Sequence, residues 1–295
     1  MKLPGILNRT LLTAALSLGS ALPALASQEA LNLEIYNPGE DAIFAVSSVL
    51  VEGKEDAILI DAQFSTDDAR QLIEMINASG KRLTTIYISH GDPDYYFGLA
   101  ALVDAFPNAE VFATEQTIEH IQETKEEKLN VWGPQLGDNA PERLVIPQPL
   151  ESDTLTLEGH DLKIMGLDGP TPDRTFVWIP DINAVVGGIP VMAGEHVWIA
   201  DTQTEESRDN WLATLSDIAA LLPTTVVPGH FAPGSQLDLS AVQFTADYLR
   251  TFEEQAAKAD NASDLIEAMQ TRYPSLLGTS SLELSSKVIM GEMEW

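Results

Sequence analysis

The chain has 295 residues, 44% of them hydrophobic, which is enough for one large domain with a real core. Sixteen basic and 45 acidic side chains leave a formal net charge of -29, so nucleic acid and anionic membrane faces are excluded as partners. There is no cysteine, which rules out disulfides and thiolate chemistry; a transition-metal site has to use histidine, carboxylate, tyrosine or water.

In chain order the first element is a leader. Lys2 and Arg9 precede LLTAALSLGSALPALA, an apolar stretch too short to span a bilayer comfortably, and Ala24-Leu25-Ala26 supplies the small residues that a signal peptidase reads. Residues 1–26 are therefore expected to be a cleaved signal peptide and the protein to be periplasmic or secreted. No cysteine follows the cut, so no lipid anchor is expected, and the mature charge moves to about -31. Residues 27–295 are expected to form a single domain with a helical C-terminal segment over about 237–290.

LNLEIY, AIFAVSSVLVEG and AILIDA are short apolar or alternating runs that predict strands. STDDARQLIEMINASG predicts a helix: Ser65 or Thr66 caps it, Asp67 and Asp68 sit in its first turn, and Gly80 stops it. LTTIYIS is a strand, GLAALVDAF a helix, AEVFAT a strand, and EQTIEHIQETKEEKL a helix followed by an aromatic loop, NVWGPQLG. Four more strands are expected in DTLTLEG, HDLKIMGL, TFVWIP and INAVVGGI. They are followed by a helix in EESRDNWLATLSDIAALLP, a short buried strand in TTVVPGH, and helices to the end. Two strand-rich halves that each end in helices imply an α/β protein with helices flanking a pair of mixed sheets.

ISHGDPDYYFG, residues 88–98, follows the LTTIYIS strand directly and places His90, Asp92 and Asp94 at alternate positions. Asp, Gly and Pro are turn formers, so a polar turn accounts for the loop. Imidazole and carboxylate donors at this spacing also suit a cation, so a metal loop is the alternative account.

With ILIDA upstream, DGPTPD, VVGG and a final PGH downstream, the motif order resembles the metallo-β-lactamase superfamily over nearly all of the mature chain. The resemblance implies a four-layer αββα sandwich and a hydrolase whose dinuclear zinc lies between two sheets. His90, Asp94 and His230 match the family's ligands. Asp92 and Tyr95 stand where two histidines would be, Pro170 replaces the histidine of the Gly-His-Thr-Pro loop, and Ile189 replaces the bridging aspartate. Neither metal position keeps the three protein ligands of a catalytic zinc. At most one metal, Zn, Fe or Mn, is expected on His90, Asp92, Asp94 and His230, with Asp168 and Asp173 as weaker substitutes.

Two functions follow. One is an exported hydrolase with a reduced, mononuclear site acting on an ester, thioester, lactone or amide. In it, Asp94 orients water or protonates the leaving group and Tyr95 donates to an oxyanion. The other is a metal-free relative that binds a small molecule or a partner. A true β-lactamase is not expected. Around the site, the family resemblance makes Asp61 a brace for the ligand loop. His196 is read as a structural imidazole or a site residue, Trp132 as a substrate mouth or a packing anchor, and Arg174 as an anion clamp or a plain salt bridge. His120 and His160 are expected at the surface, and the glutamates of ETKEE form a solvated helix face.

Overall fold

The computed structural model describes Met1 and residues 30–295 apart from Asp168 and Pro170. The leader expected over residues 1–26 lies outside these apart from Met1, as do the Pro170 replacement and the substitute ligand Asp168.

The first half lays down β1 (Asn32–Tyr36), β2 (Ser48–Glu52), β3 (Asp56–Ile60), α1 (Thr66–Ser79), β4 (Arg82–Tyr87), α2 (Pro93–Tyr96), α3 (Leu99–Ala105), β5 (Glu110–Ala113), α4 (Glu115–Leu136) and β6 (Gln148–Pro149). Its six strands form one sheet in chain order; β1, β2 and β3 pair antiparallel, and β3 through β6 are parallel. The second half comprises β7 (Thr154–Leu157), β8 (His160–Met165), β9 (Phe176–Ile179), β10 (Ala184–Val186), β11 (Met192–Ala193), α5 (Glu205–Ala220), β12 (Thr225–Val226), β13 (His230–Phe231), α6 (Leu239–Ala256), α7 (Ala262–Arg272) and α8 (Thr279–Ile289). A five-stranded sheet runs β12-β10-β9-β8-β7, and β11 pairs with β13.

The period-2 alternation of the strands sorts residues between layers. Val49, Val51, Ile58 and Ile60 face the second sheet and meet Leu162, Ile164, Val177 and Val186 in a dry seam. Their neighbours Leu50 and Leu59 point the other way, onto Leu72 and Ile76 of α1 and Leu99 of α3. Val185 and Phe176 likewise turn outward, against Trp211 and Leu215 of α5 and Leu249 and Phe252 of α6. The result is helix, sheet, sheet, helix, the expected αββα sandwich. Fully burying each such aliphatic side chain contributes about 1.5–3 kcal/mol.

α1 begins and ends where the sequence signals it. The Ser65 hydroxyl accepts from the Asp68 amide, and Gly80 closes the helix in the left-handed region at φ 70°. Two expectations are corrected. α4 does not stop before NVWGPQLG but runs through it to Leu136, with Pro134 inside the helix. Leu129, Trp132 and Leu136 continue the apolar stripe of Ile118 and Ile121 onto the first core, and this packing outweighs the one hydrogen bond that proline removes. His160, expected at the surface, is 6% exposed on β8 and hydrogen-bonds Asp181 Oδ2 through Nδ1 at 2.6 Å.

Candidate active site

The ends of β3, β4, β10 and β13 converge at one edge of the sandwich, where the chain leaves one sheet and approaches the other. Asp61 follows β3 in the left-handed region at φ 64°, a conformation aspartate tolerates better than most side chains. Its carboxylate accepts the Ser89 amide at 2.8 Å, and the Ser89 hydroxyl lies 2.7 Å from its Oδ2. That hydroxyl in turn accepts the Gly188 amide at 2.8 Å, and the Thr175 hydroxyl donates to the Ser89 carbonyl at 2.7 Å. This chain of bonds ties the first sheet to the second immediately before the ligand loop. Only glycine fits at 188, because φ is 81° and a Cβ would lie 2.1 Å from the Thr175 carbonyl oxygen. Asp61 is fully buried, and burial pushes its carboxyl up to about 7 against the lowering effect of the Ser89 bonds.

The next residues form three ion pairs on two carboxylates. His90 Nε2 donates to Asp92 Oδ2 at 3.0 Å, and Lys128 Nζ of α4 donates to Asp92 Oδ1 at 2.7 Å. His230, on β13, places Nε2 3.1 Å from Asp94 Oδ2. Burial works against the charge on both imidazoles, but the adjacent carboxylates outweigh it and raise both pKa values. Burial also opposes ionisation of Asp92, yet His90 and Lys128 together hold it well below the usual carboxylate range. Lys128 is raised: burial opposes its charge, and Asp92 and then Asp201 overcome that.

Tyr95 is 0% exposed and packs edge-on against both imidazoles, with ring centroids 5.2 Å from His90 and 5.8 Å from His230. Its hydroxyl has no hydrogen-bond partner among the described residues and does not line the cavity. The oxyanion role expected for Tyr95 therefore has no route to a bound molecule. His120 is also corrected. It is one-third exposed rather than at the surface, tilted against His90 at 6.2 Å, with Nε2 3.9 Å from Asp92 Oδ1 and Nδ1 3.8 Å from Asp173 Oδ2. Asp173 meets His90 through its backbone carbonyl at 3.4 Å, while its carboxylate faces His120.

A cavity of about 330 Å³ opens beside the pairs, lined by Asp92, Asp94, Lys128, Trp132, Ile189 and His230 among others. Trp132 is thus both a cavity wall and a packing residue. Arg174 is not part of this cavity: its guanidinium carbon lies 6.0 Å from the Trp211 ring centroid, in a separate small hollow. His196 is buried away from the cavity with Nδ1 2.9 Å from the Tyr248 hydroxyl, and burial lowers its pKa to about 4.

The metal-dependent expectation can be tested on the donors themselves. Among the described residues, no three His, Cys, Asp or Glu side chains are placed to hold one metal ion. The four expected ligands form two separate pairs, and the free oxygen of the first pair faces an ammonium. Ile189, 4% exposed, brings a hydrocarbon side chain to the place where the resemblance expects a bridging carboxylate. This donor set does not fit a catalytic zinc, which requires three protein ligands with their lone pairs free.

Residues 42–230 match the family model of the metallo-beta-lactamase superfamily. The chain belongs to that superfamily. Membership supports a hydrolase-like function, and family members usually bind metal, often zinc. No curated protein matches the chain. Among solved structures, a metallo-beta-lactamase family protein from Thermus thermophilus is similar with a TM-score of 0.62 at 18% identity, over 89% of this chain and 93% of that one. A metallo-beta-lactamase from Pontibacter korlensis gives 0.55 at 17% identity, over 77% and 96%. The DIM-1 metallo-beta-lactamase gives 0.54 at 18%, over 76% and 99%. At these identities the likeness shows the αββα fold alone, so the site has to be read from its own side chains.

Proposed function

We propose that this chain is an exported, metal-independent member of the superfamily whose cavity binds a small organic molecule. The observation that carries this reading is Lys128 Nζ at 2.7 Å from Asp92 Oδ1, an ammonium from α4 bonded to a carboxylate of the ligand loop. A fixed cation there neutralises Asp92 and repels a second, metallic one. The site keeps its polar residues because they satisfy each other as ion pairs in a buried setting, where an unpaired charge is costly. The cavity, at about 330 Å³, falls in the size range of small-molecule sites.

The finer alternative, a mononuclear zinc, iron or manganese hydrolase cleaving an ester, thioester, lactone or amide, draws support from the burial of His90, Asp92, Asp94 and His230 at neighbouring strand ends. Metal analysis by inductively coupled plasma mass spectrometry separates the two. After incubation with each metal and desalting, the purified protein is expected to hold less than about a tenth of an equivalent. About one equivalent, lost in a His90→Ala/His230→Ala variant, would overturn metal independence and restore the mononuclear hydrolase.

A further inference from the structure

We infer that the cavity is selective for an organic cation, an amine or quaternary ammonium carrying apolar bulk, held against an aromatic wall and a carboxylate left without a counter-charge. The inference deepens the small-molecule reading above and rests on it.

The wall is a continuous set of edge-to-face rings. Phe44 lies 5.0 Å from Trp132 and 5.7 Å from Trp198, and Trp198 lies 5.4 Å from Trp295, centroid to centroid. All four line the cavity. Asp201 fixes two of them: its Oδ1 accepts the Trp295 indole N–H at 2.7 Å and its Oδ2 accepts the Trp198 indole N–H. With both indole N–H groups engaged, what these rings can still offer a ligand is their electron-rich faces and their apolar area. Such faces attract ammonium groups.

The charges of the cavity point the same way. Lys128 and His230 are its cationic side chains, and each is already bonded to a carboxylate, Asp92 and Asp94. Little positive charge is therefore left to bind an anion. On the other side of the balance, Glu195 lines the cavity with no hydrogen-bond or ion-pair partner for its carboxylate among the described residues. Asp94, 6% exposed, uses Oδ2 on His230 and has no partner for Oδ1 among the described residues. Exposed Glu40 adds a further negative charge to the lining. A bound cation supplies the missing charge, and its alkyl or aryl groups cover the rings.

The test is titration calorimetry and tryptophan fluorescence on the purified full-length protein with benzyltrimethylammonium, with choline against its neutral isostere 3,3-dimethylbutan-1-ol, and with benzoate. Benzyltrimethylammonium is expected to bind and benzoate not to, and choline to bind about tenfold or more tightly than the isostere. Trp198→Leu is expected to weaken benzyltrimethylammonium by about tenfold, Trp198→Phe by about threefold, and Glu195→Gln by about fivefold or more. Glu195→Gln keeps the shape of the side chain, and its thermal melt shows that loss of binding is not loss of fold. Equal affinity for choline and its isostere, tighter binding of benzoate, or no binding of either ammonium at about 10 mM would each overturn the inference. Metal content measured on the same preparation keeps the two readings apart. Zinc present together with ammonium binding refutes metal independence alone, while zinc absent without ammonium binding refutes the cation alone.

Discussion

Replacing Lys128 with alanine is expected to lower the unfolding free energy by about 2 kcal/mol, although the residue lies in a segment whose composition reads as a solvated helix face. Removing one partner of a fully buried ion pair costs about 3–5 kcal/mol because the other charge is stranded. Here the side chains of Lys128 and Asp92 are 18% and 12% exposed, so solvent screens part of that cost. The His90 bond to Asp92 remains and limits the loss further. Lys128→Met separates charge from packing, because it keeps an unbranched stem of similar length. If the ion pair is responsible, Met and Ala lose nearly the same amount. The Asp92→Asn/Lys128→Met double variant then recovers about half of it, since no buried carboxylate is left without its ammonium and His90, no longer beside a carboxylate, can give up its proton. Urea unfolding of these proteins together with Asp92→Asn measures the cycle, and a change below about 0.5 kcal/mol in Lys128→Ala would show that the ammonium does not occupy the ligand loop.

The same residue marks the limit of what the sequence discloses. The strands and the α1 caps were legible because period-2 alternation and capping chemistry are local signals. The order of Asp61, the ligand loop, VVGG and PGH was enough to indicate the sandwich. Lys128 was hidden for two reasons. It lies 36 positions from its partner, and the glutamates around it suggest a surface. One signal was available: Lys128 falls seven residues after buried Ile121 and four before Trp132, on the apolar stripe of α4 rather than opposite it. A charge on a buried stripe requires a partner. NVWGPQLG concealed that stripe, because Gly133 and Pro134 look like helix breakers when their packing is unknown. His120 was misread for the same reason, as its contact is Gly91, where a Cβ would lie 2.6 Å from the imidazole. The strands β11 and β13, at two residues each, are too short to show any period, so the seat of His230 could be matched but not placed. Arg174 and His196 illustrate the opposite case: nearness in sequence to site motifs kept a site role open for each beside a structural one, and packing places both away from the cavity.

Asp61→Asn is expected to become more stable than wild type by a growing margin as pH rises, gaining roughly 2–3 kcal/mol on it between pH 5 and pH 8. The physical origin is a carboxyl at 0% exposure whose pKa is raised by burial to about 7. In the unfolded chain an aspartate titrates near 3.9, so from about pH 4 to pH 7 the folded protein holds this proton more tightly than the unfolded chain does. Stability attributable to the group therefore falls as pH rises through that window and levels off above it. Three pKa units correspond to a total on the order of 4 kcal/mol, of which the stretch from pH 5 to pH 8 carries a little more than half. Asparagine imitates the protonated form: its carbonyl accepts the Ser89 amide, its amide reaches the Ser89 hydroxyl, and it tolerates the left-handed backbone at this position. Asp61→Ala removes these bonds and places a side chain less suited to φ 64° there, so a loss of about 3 kcal/mol is expected even at pH 5. Thermal or urea melts of the three proteins at pH 5, 6, 7 and 8 decide it. A constant difference between wild type and Asp61→Asn across that range would mean that the tie between the sheets is made by an ionised carboxylate, stabilised by Ser89 more strongly than burial opposes it.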